Sequence, residues 1–181
     1  CGIGVSIREA SGYVGEMANV TFKGNPVHTN GDLPKPGQKA PEFELVDSAL
    51  GTKRLSDFAG KKKILTINPS YDTGVCQAAA RSFNQKAGSR GDAVVLAISA
   101  DLPFAQKRFC AAEGLDHVVP LSSFRSSFAK DYGLELVDGP LAGLTARAVI
   151  VIDENDVVKH VELVPEIAQE PDYDAALASI G

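Results

Sequence analysis

One cysteine, Cys76, stands where an apolar segment gives way to a helix-like pattern. The surrounding residues, 65–83, read LTINPSYDTGVCQAAARSF, and either Asp72 or Thr73 could cap the first turn of that helix. In a first turn, the positive end of the helix dipole and the free backbone N–H groups favour a thiolate over a thiol. Because the thiolate is the nucleophilic form, the segment predicts a reactive sulfur at a strand-to-helix corner.

The same segment carries Pro69, Thr73 and Cys76 at the spacing P-x-x-x-T-x-x-C. An isolated cysteine is most often a small buried residue. A proline before the helix, a hydroxyl about one turn before the sulfur and an aspartate cap together favour a reactive site instead. The motif resembles the peroxidatic loop of the peroxiredoxins, and S-x-D-T-x-V-C, starting at Ser70, resembles the signature of the bacterial thiol peroxidases.

The composition favours a single globular domain. Of 181 residues, 44% are hydrophobic and 23% charged, and the net charge of −5 argues against a nucleic-acid partner, which needs a basic face. The only basic run, Lys61, Lys62 and Lys63, is interpreted as the solvated entrance of a strand. No apolar run approaches the roughly 20 residues of a membrane-spanning helix, so a soluble protein without membrane association is expected.

The three cysteines, Cys1, Cys76 and Cys110, form no C-x-x-C pair. This excludes the thioredoxin dithiol motif and the common zinc spacings, and the three histidines lack ligand spacing, so no metal site is expected. The phosphate-loop, dinucleotide-binding and serine-hydrolase motifs are also missing. Any chemistry of this chain is therefore expected to be thiol chemistry.

The elements that must position Cys76 follow from periodicity and turn residues. A β-hairpin around Gly24 and Asn25 is predicted over 20–30, and a short turn or helix over 55–58. Strands are predicted at 42–46, 63–68, 93–99, 117–121, 146–152 and 157–163, and helices at 75–86, from a cap at Asp101 to 112 with Gly114 closing it, 124–132 and 172–180. This order predicts an α/β, thioredoxin-like fold in which helices flank a central mixed sheet and a β-hairpin is added at the N-terminus.

Two further residues are candidates for the site. Cys110 lies 34 positions after Cys76, and could be a buried helix cysteine. Its segment DLPFAQKRFCAAEG, however, resembles the thiol peroxidase helix that bears the resolving cysteine. Arg147, in LTARAVIVID, is a cation in an apolar strand, which is costly unless it is paired. An ion pair with a carboxylate is one interpretation, but the position resembles the peroxiredoxin arginine that faces the peroxidatic sulfur.

The resemblance covers residues 17–181 and implies a mechanism. Cys76 would attack a hydroperoxide and become a sulfenic acid, and Cys110 would condense with it to form an intramolecular Cys76–Cys110 disulfide that thioredoxin reduces. Thr73, Arg147 and the Cys76 N–H would meet the charge of the transition state, and Pro69 would shield the sulfur from water. The resemblance also implies a homodimer without a prosthetic group that acts on hydrogen peroxide and on alkyl or lipid hydroperoxides.

The N-terminal segment 1–16, with Cys1, has no clear place in that domain, which is expected over 17–181. Readthrough, a processed leader or a lipidated Cys1 are alternatives for its origin, and a cytoplasmic location is expected with a periplasmic one as the alternative. Two other functions compete with the peroxidase. A redox switch or holdase would use the same disulfide without peroxide turnover, and a general disulfide oxidoreductase is disfavoured by the missing C-x-x-C.

Overall fold

The structure is a computed structural model that describes residues 18–87 and 90–181. The predicted N-terminal segment 1–16 and its Cys1 lie outside the described residues. Within the described ranges, every helix is too short or too polar to cross a lipid bilayer.

The first element is the antiparallel hairpin of β1 (Asn19–Phe22) and β2 (Asn25–His28). Lys23 and Gly24 form its turn with φ angles of 51° and 80°. Two successive positive φ angles match the right-handed twist of the paired strands, which is why a two-residue turn works here. The predicted hairpin is confirmed, but Asn25 belongs to the second strand rather than to the turn.

Seven strands form the central mixed sheet. They are β3 (Glu44–Val46), β4 (Thr52–Arg54), β5 (Lys62–Ile67), β6 (Ala93–Ser99), β7 (Val118–Ser122), β8 (Ala148–Ile152) and β9 (Val158–Leu163), in the spatial order β4-β3-β7-β6-β5-β8-β9. Strands β5, β6 and β7 are parallel, and the remaining pairs are antiparallel. The carboxyl ends of β5 and β6 therefore meet at one edge, where the chain turns into the segment of Cys76.

Helices cover the sheet and confirm the predicted fold class. They are α1 (Gly74–Ala87), α2 (Pro103–Glu113), α3 (Phe128–Asp131) and α4 (Tyr173–Ala178), with a 3-10 helix at Leu55–Phe58. Helix α1 packs against β6 and α4, whereas α2 packs against β7.

Side chains of the central strands alternate between two apolar clusters. In β5, Ile64 points into the cluster under α1 and α4, which includes Cys76 and Phe83, while Leu65 points into the cluster on the other face. Strand residues alternate in this way because successive side chains point to opposite faces of a sheet. Burial on both faces fixes β5, and with it the loop that carries the site.

The predicted cap at Asp101 is wrong. Helix α2 begins at Pro103, Leu102 occupies its N-cap, and no side chain caps it. The Asp101 carboxylate instead accepts hydrogen bonds from Tyr71 N (2.7 Å) and Ser70 Oγ (2.9 Å). Proline starts the helix without needing a cap partner because it has no N–H to satisfy. The end of α2 is as predicted, since Gly114 adopts φ 65°.

Two other predictions are corrected by long-range contacts. Lys63 is fully buried rather than solvated, and its ammonium donates to the Asp156 carboxylate and to the Asp153 carbonyl. The helix predicted over 124–132 shrinks to the single turn of α3. The hydroxyl of Ser126 accepts from Phe128 N (3.1 Å), and such local serine bonds compete with helical ones.

Candidate active site

Cys76 lies in the first turn of α1, directly after the loop 68–73 that follows β5. The residue is completely buried and belongs to the apolar cluster under α1. Its backbone N–H is in the helical turn whose N–H groups have no carbonyl partner within the helix, so it points as a donor toward the loop. The corner predicted from the sequence is present, but the cysteine lies beneath the surface.

Thr73 lies next to the sulfur. Its Oγ1 is 2.8 Å from Cys76 Sγ and 3.0 Å from the Ser70 carbonyl oxygen. A hydroxyl has one hydrogen, so it can donate to only one of these acceptors at a time. It can donate to a thiolate at Cys76, or accept from the thiol while it donates to Ser70. Thr73 can therefore serve both protonation states of the sulfur without moving.

Arg147 is buried, at 2% exposure, immediately before β8. Its Nε donates to the Ile167 carbonyl (2.8 Å) and its Nη1 donates to Asn68 Oδ1 (3.0 Å). Among the described residues, no carboxylate lies within ion-pair distance of the Arg147 guanidinium. The alternative interpretation, an ion pair with a carboxylate, is therefore wrong for the described part of the chain. Two neutral acceptors fix its orientation and leave its positive charge available to a ligand.

A cavity of about 390 Å³ opens beside these groups. Pro69, Thr73 and Arg147 line it together, while Cys76 does not reach its surface. The rest of its wall is mainly apolar and comes from the hairpin, the first turn of α1 and three loops. The lining residues are Phe22, Lys23, Pro69, Ser70, Thr73, Gly74, Val75, Leu141, Leu144, Arg147, Ile167 and Ala168. No carboxylate is among these, so the cavity favours a neutral or anionic ligand with an apolar part.

Cys110 lies in α2, half-buried, and packs with its neighbour Phe109 against the cluster that contains Cys76. Burial raises the pKa of its thiol to about 11, because desolvation disfavours the charged form. Both Cys76 and Cys110 are free thiols. In this structure Cys110 is packed as a neutral thiol.

The sequence prediction missed three residues that hold the site together. The Asp101 carboxylate accepts hydrogen bonds from Ser70 and Tyr71 in the loop, and the Asn68 side chain accepts one from the Arg147 guanidinium. Tyr71 is buried and stacks on Phe109, with ring centroids 4.9 Å apart. Asp101 and Asn68 each follow a buried strand at the same sheet edge, a position that could have identified them. Tyr71 carried no comparable signal.

Within residues 18–87 and 90–181, no group of three or more histidine, cysteine or acidic side chains is arranged to hold a metal ion.

Comparison with known proteins decides the family. Residues 35–177 match the family model described as Redoxin. The chain belongs to the Redoxin family. This redoxin is 52% identical over 165 residues to the thiol peroxidases of Mycobacterium tuberculosis and Mycobacterium bovis, and each match covers 91% of this chain and 99% of the relative.

Comparison with solved structures gives the same family. The redoxin resembles a peroxiredoxin-like protein from Aquifex aeolicus with a TM-score of 0.85 and 39% identity, over 91% of this chain and 96% of that one. It resembles the thiol peroxidase from Chromobacterium violaceum with a TM-score of 0.82 and 26% identity, over 88% and 94% of the two chains. The thioredoxin-like fold and the enzyme class, a peroxidase of the peroxiredoxin type, are thereby confirmed. The roles of individual residues stay predictions.

Proposed function

We propose that this redoxin reduces hydroperoxides at Cys76 and resolves the oxidised sulfur with Cys110. The Cys76 thiolate attacks one peroxide oxygen, the O–O bond breaks, and the departing oxygen leaves as an alcohol or water after gaining a proton. Cys76 is then a sulfenic acid. The Cys110 thiol attacks that sulfur, which releases water and forms the Cys76–Cys110 disulfide.

The observation that carries this proposal is the placement of Arg147. A buried guanidinium without a described carboxylate partner lines the same cavity as Thr73, whose hydroxyl lies 2.8 Å from Cys76 Sγ. Negative charge builds on the departing oxygen as the O–O bond breaks. A fixed cation and a hydroxyl at that point stabilise the transition state more than the ground state.

Because Cys76 is buried, the cavity is the proposed entry route of the peroxide. A peroxide that enters it meets Thr73 and Arg147 before the sulfur, because these two residues line the cavity whereas Cys76 is fully buried and does not. The attack then requires a small displacement of the first turn of α1. Pro69, buried in the same wall, limits the access of bulk water to the sulfur.

Apolar walls point to hydroperoxides with a hydrocarbon part, alongside hydrogen peroxide. Leu141, Leu144 and Ile167 offer contacts that hydrogen peroxide is too small to use. Lys23, at the hairpin turn, lines the same cavity and would pair with a carboxylate on a fatty-acid hydroperoxide. Leu144→Ala should raise KM for a bulky alkyl hydroperoxide and leave turnover of hydrogen peroxide within about twofold.

Thioredoxin is the proposed reductant, because the chain has no C-x-x-C and its disulfide needs a dithiol from another protein. The cytoplasm, where thioredoxin keeps thiols reduced, fits this chemistry. A homodimer is proposed through the exposed apolar side chains Leu102, Phe104 and Phe124. Sedimentation of the wild type and of Phe104→Asp tests the dimer, which the charged variant should weaken.

The decisive experiment compares wild type, Cys76→Ser and Cys110→Ser in steady-state hydroperoxide reduction coupled to thioredoxin and its reductase. We expect turnover in the wild type only, with Cys110→Ser reacting once to give the sulfenic acid, failing to turn over with thioredoxin and overoxidising more readily. Cys1→Ser should behave as wild type. Turnover by Cys76→Ser would overturn the proposal, and a wild type that oxidises once without turnover would favour the redox switch.

A further inference from the structure

Tyr71 has no part in the mechanism above, yet it connects the segments of the two cysteines. It lies in the loop between β5 and α1, five residues before Cys76, and is 2% exposed. Its ring stacks on Phe109, with centroids 4.9 Å apart and 19° between the planes. Phe109 directly precedes Cys110 in α2, so one aromatic contact joins the loop of one cysteine to the helix of the other.

The Tyr71 backbone is held on both sides. Its N–H donates to Asp101 Oδ2 (2.7 Å), and its carbonyl accepts from Gln77 Nε2 (3.3 Å) on α1. Displacement of the loop or of the first turn of α1 therefore moves the Tyr71 ring, and unwinding of α2 near Cys110 moves Phe109. Either motion separates the two rings.

The Tyr71 hydroxyl is buried and makes no hydrogen bond of ordinary geometry with the described residues, and only a weaker interaction with the Asn68 side chain acts to lower its pKa. Burial raises the pKa of Tyr71 well above its usual value, and the neighbouring Cys110 and Cys76 raise it further. The side chain is thus a neutral phenol close to both thiols. Burying a hydroxyl without a good hydrogen bond is unfavourable. The contact of the Tyr71 ring with Phe109 therefore stabilises the stacked position, whereas the buried hydroxyl destabilises it.

A disulfide requires the two Cα atoms to lie within about 7 Å of each other and their side chains to converge. Cys110 is packed in α2 as a neutral thiol, so it must leave that packing to gain thiolate character. The stack of Tyr71 on Phe109 resists that movement. While it persists, the sulfenic acid at Cys76 stays exposed to a second peroxide, which converts it to a sulfinic acid and an alcohol.

We infer that the stacked pair Tyr71–Phe109 is a latch that sets how fast the Cys76 sulfenic acid is resolved by Cys110, and so how much of it overoxidises. This inference rests on the proposed function, in which those two cysteines carry the chemistry. Tyr71 is thus a positioning residue for the resolving step, and it does not line the cavity in which the peroxide would bind.

The latch predicts opposite effects for two substitutions at one position. Tyr71→Leu removes the stack and should speed disulfide formation roughly two- to tenfold, the range expected for an aromatic pair. Tyr71→Phe keeps the ring and removes the buried hydroxyl, so it should strengthen the latch and slow disulfide formation roughly threefold or more. Phe109→Leu should match Tyr71→Leu.

The test uses reduced full-length protein, mixed with one equivalent of hydrogen peroxide, quenched with acid at set times and analysed by mass spectrometry. The chain has no tryptophan to report by fluorescence, and mass separates sulfenic, disulfide and sulfinic forms directly. The sulfinic fraction at excess peroxide should fall in Tyr71→Leu and rise in Tyr71→Phe. Phe43→Leu is the matched control, because it removes another aromatic pair, with Phe128 at 5.7 Å, in the apolar cluster on the other face of the sheet.

The outcomes separate this inference from the function on which it rests. If the wild type forms the disulfide while Tyr71→Leu, Tyr71→Phe and Phe109→Leu all resolve at its rate, the latch is wrong and the peroxidase stands. If both substitutions at Tyr71 change the rate in the same direction, the side chain acts by bulk alone and the latch is likewise wrong. If the wild type forms no Cys76–Cys110 disulfide, both proposals are overturned.

Discussion

The Nε atom of Arg147 donates a 2.8 Å hydrogen bond to the carbonyl oxygen of Ile167. The N–H of Ile167 in turn donates to the carbonyl of Thr21 in β1, also at 2.8 Å. The N-terminal hairpin is thus two hydrogen bonds from the guanidinium, and Phe22 of the same hairpin lines the cavity. Substrate access and the orientation of the cation depend on the same segment.

Replacement of Arg147 should slow the attack on peroxide without abolishing it. Arg147→Ala removes the cation that meets the developing charge, and the rate of sulfenic acid formation should fall roughly 100-fold or more. Arg147→Lys keeps a charge but loses the fixed fork held by Asn68 and Ile167, so it should recover only part of the rate. Single-turnover kinetics measure this, with the exposed Arg54→Ala as control. A rate within twofold of wild type in Arg147→Ala would make the residue structural.

Thr73 can be tested by two substitutions that separate its hydroxyl from its shape. Thr73→Val preserves the branched side chain and removes the donor to Cys76 Sγ, so the attack should slow roughly tenfold or more. Thr73→Ser keeps the hydroxyl and should stay close to the wild type. The measurement is again sulfenic acid formation in a single turnover. Equal rates for valine and serine variants would show that the 2.8 Å contact plays no part in the reaction.

Acid should release the hairpin from the loop 165–168. Glu166 accepts from Thr21 Oγ1 and from the N–H groups of Lys23, Gly24 and Ala168, and these bonds lower its pKa from 4.5 to about 2. A carboxyl with a depressed folded pKa contributes stability above its unfolded value of 4.5, and that contribution is lost as pH falls through about 2.

Amide hydrogen exchange at Lys23 and Gly24 should therefore quicken between pH 4.5 and about 2, beyond the intrinsic pH dependence. Glu166→Gln should show the faster exchange already at neutral pH and little further change on acidification. Equal protection of these two amides in wild type and Glu166→Gln at every pH would contradict the assignment.

Alkali should loosen the packing around Cys110. Its thiol has a pKa of about 11 in the packed helix against an ordinary value of 9.0, so packing favours the neutral form. That stabilisation is complete below about pH 9 and is lost as pH rises through about 11. In a Cys1→Ser, Cys76→Ser background, alkylation of Cys110 by iodoacetamide should accelerate up to about pH 11. A plateau near pH 9 would show that Cys110 is already unpacked.

The buried ammonium of Lys63 predicts a local effect on stability. Asp156→Asn removes the carboxylate but keeps the turn, because asparagine tolerates the φ of 63° at this position. The free energy of unfolding in urea should fall by roughly 2 kcal/mol, since a buried charge loses its counter-ion. Combining Lys63→Met with Asp156→Asn should restore part of that loss. Equal stability of Asp156→Asn and wild type would mean that the Asp153 carbonyl suffices.

The sequence by itself determined the local elements and the corner that carries Cys76. Strand β6 was predicted at its observed bounds, because an unbroken run of apolar residues has the length of a strand buried on both faces. Pro69 and Thr73 were singled out by their spacing to Cys76 along one segment. Arg147 was singled out by the cost of an unpaired cation in an apolar strand together with its resemblance to the peroxiredoxin arginine. The structure brings Pro69, Thr73 and Arg147 to one cavity.

Only the tertiary structure decided what depends on partners distant in the chain. Lys63 is buried because Asp156, in the turn between β8 and β9, lies beside it. Asp101 binds the Tyr71 N–H rather than capping α2 because the ends of β5 and β6 are neighbours. The same holds for the Tyr71–Phe109 stack. Periodicity reports which face of an element is apolar, but the partner of a polar or aromatic side chain is set by the packing of elements that the local pattern does not encode.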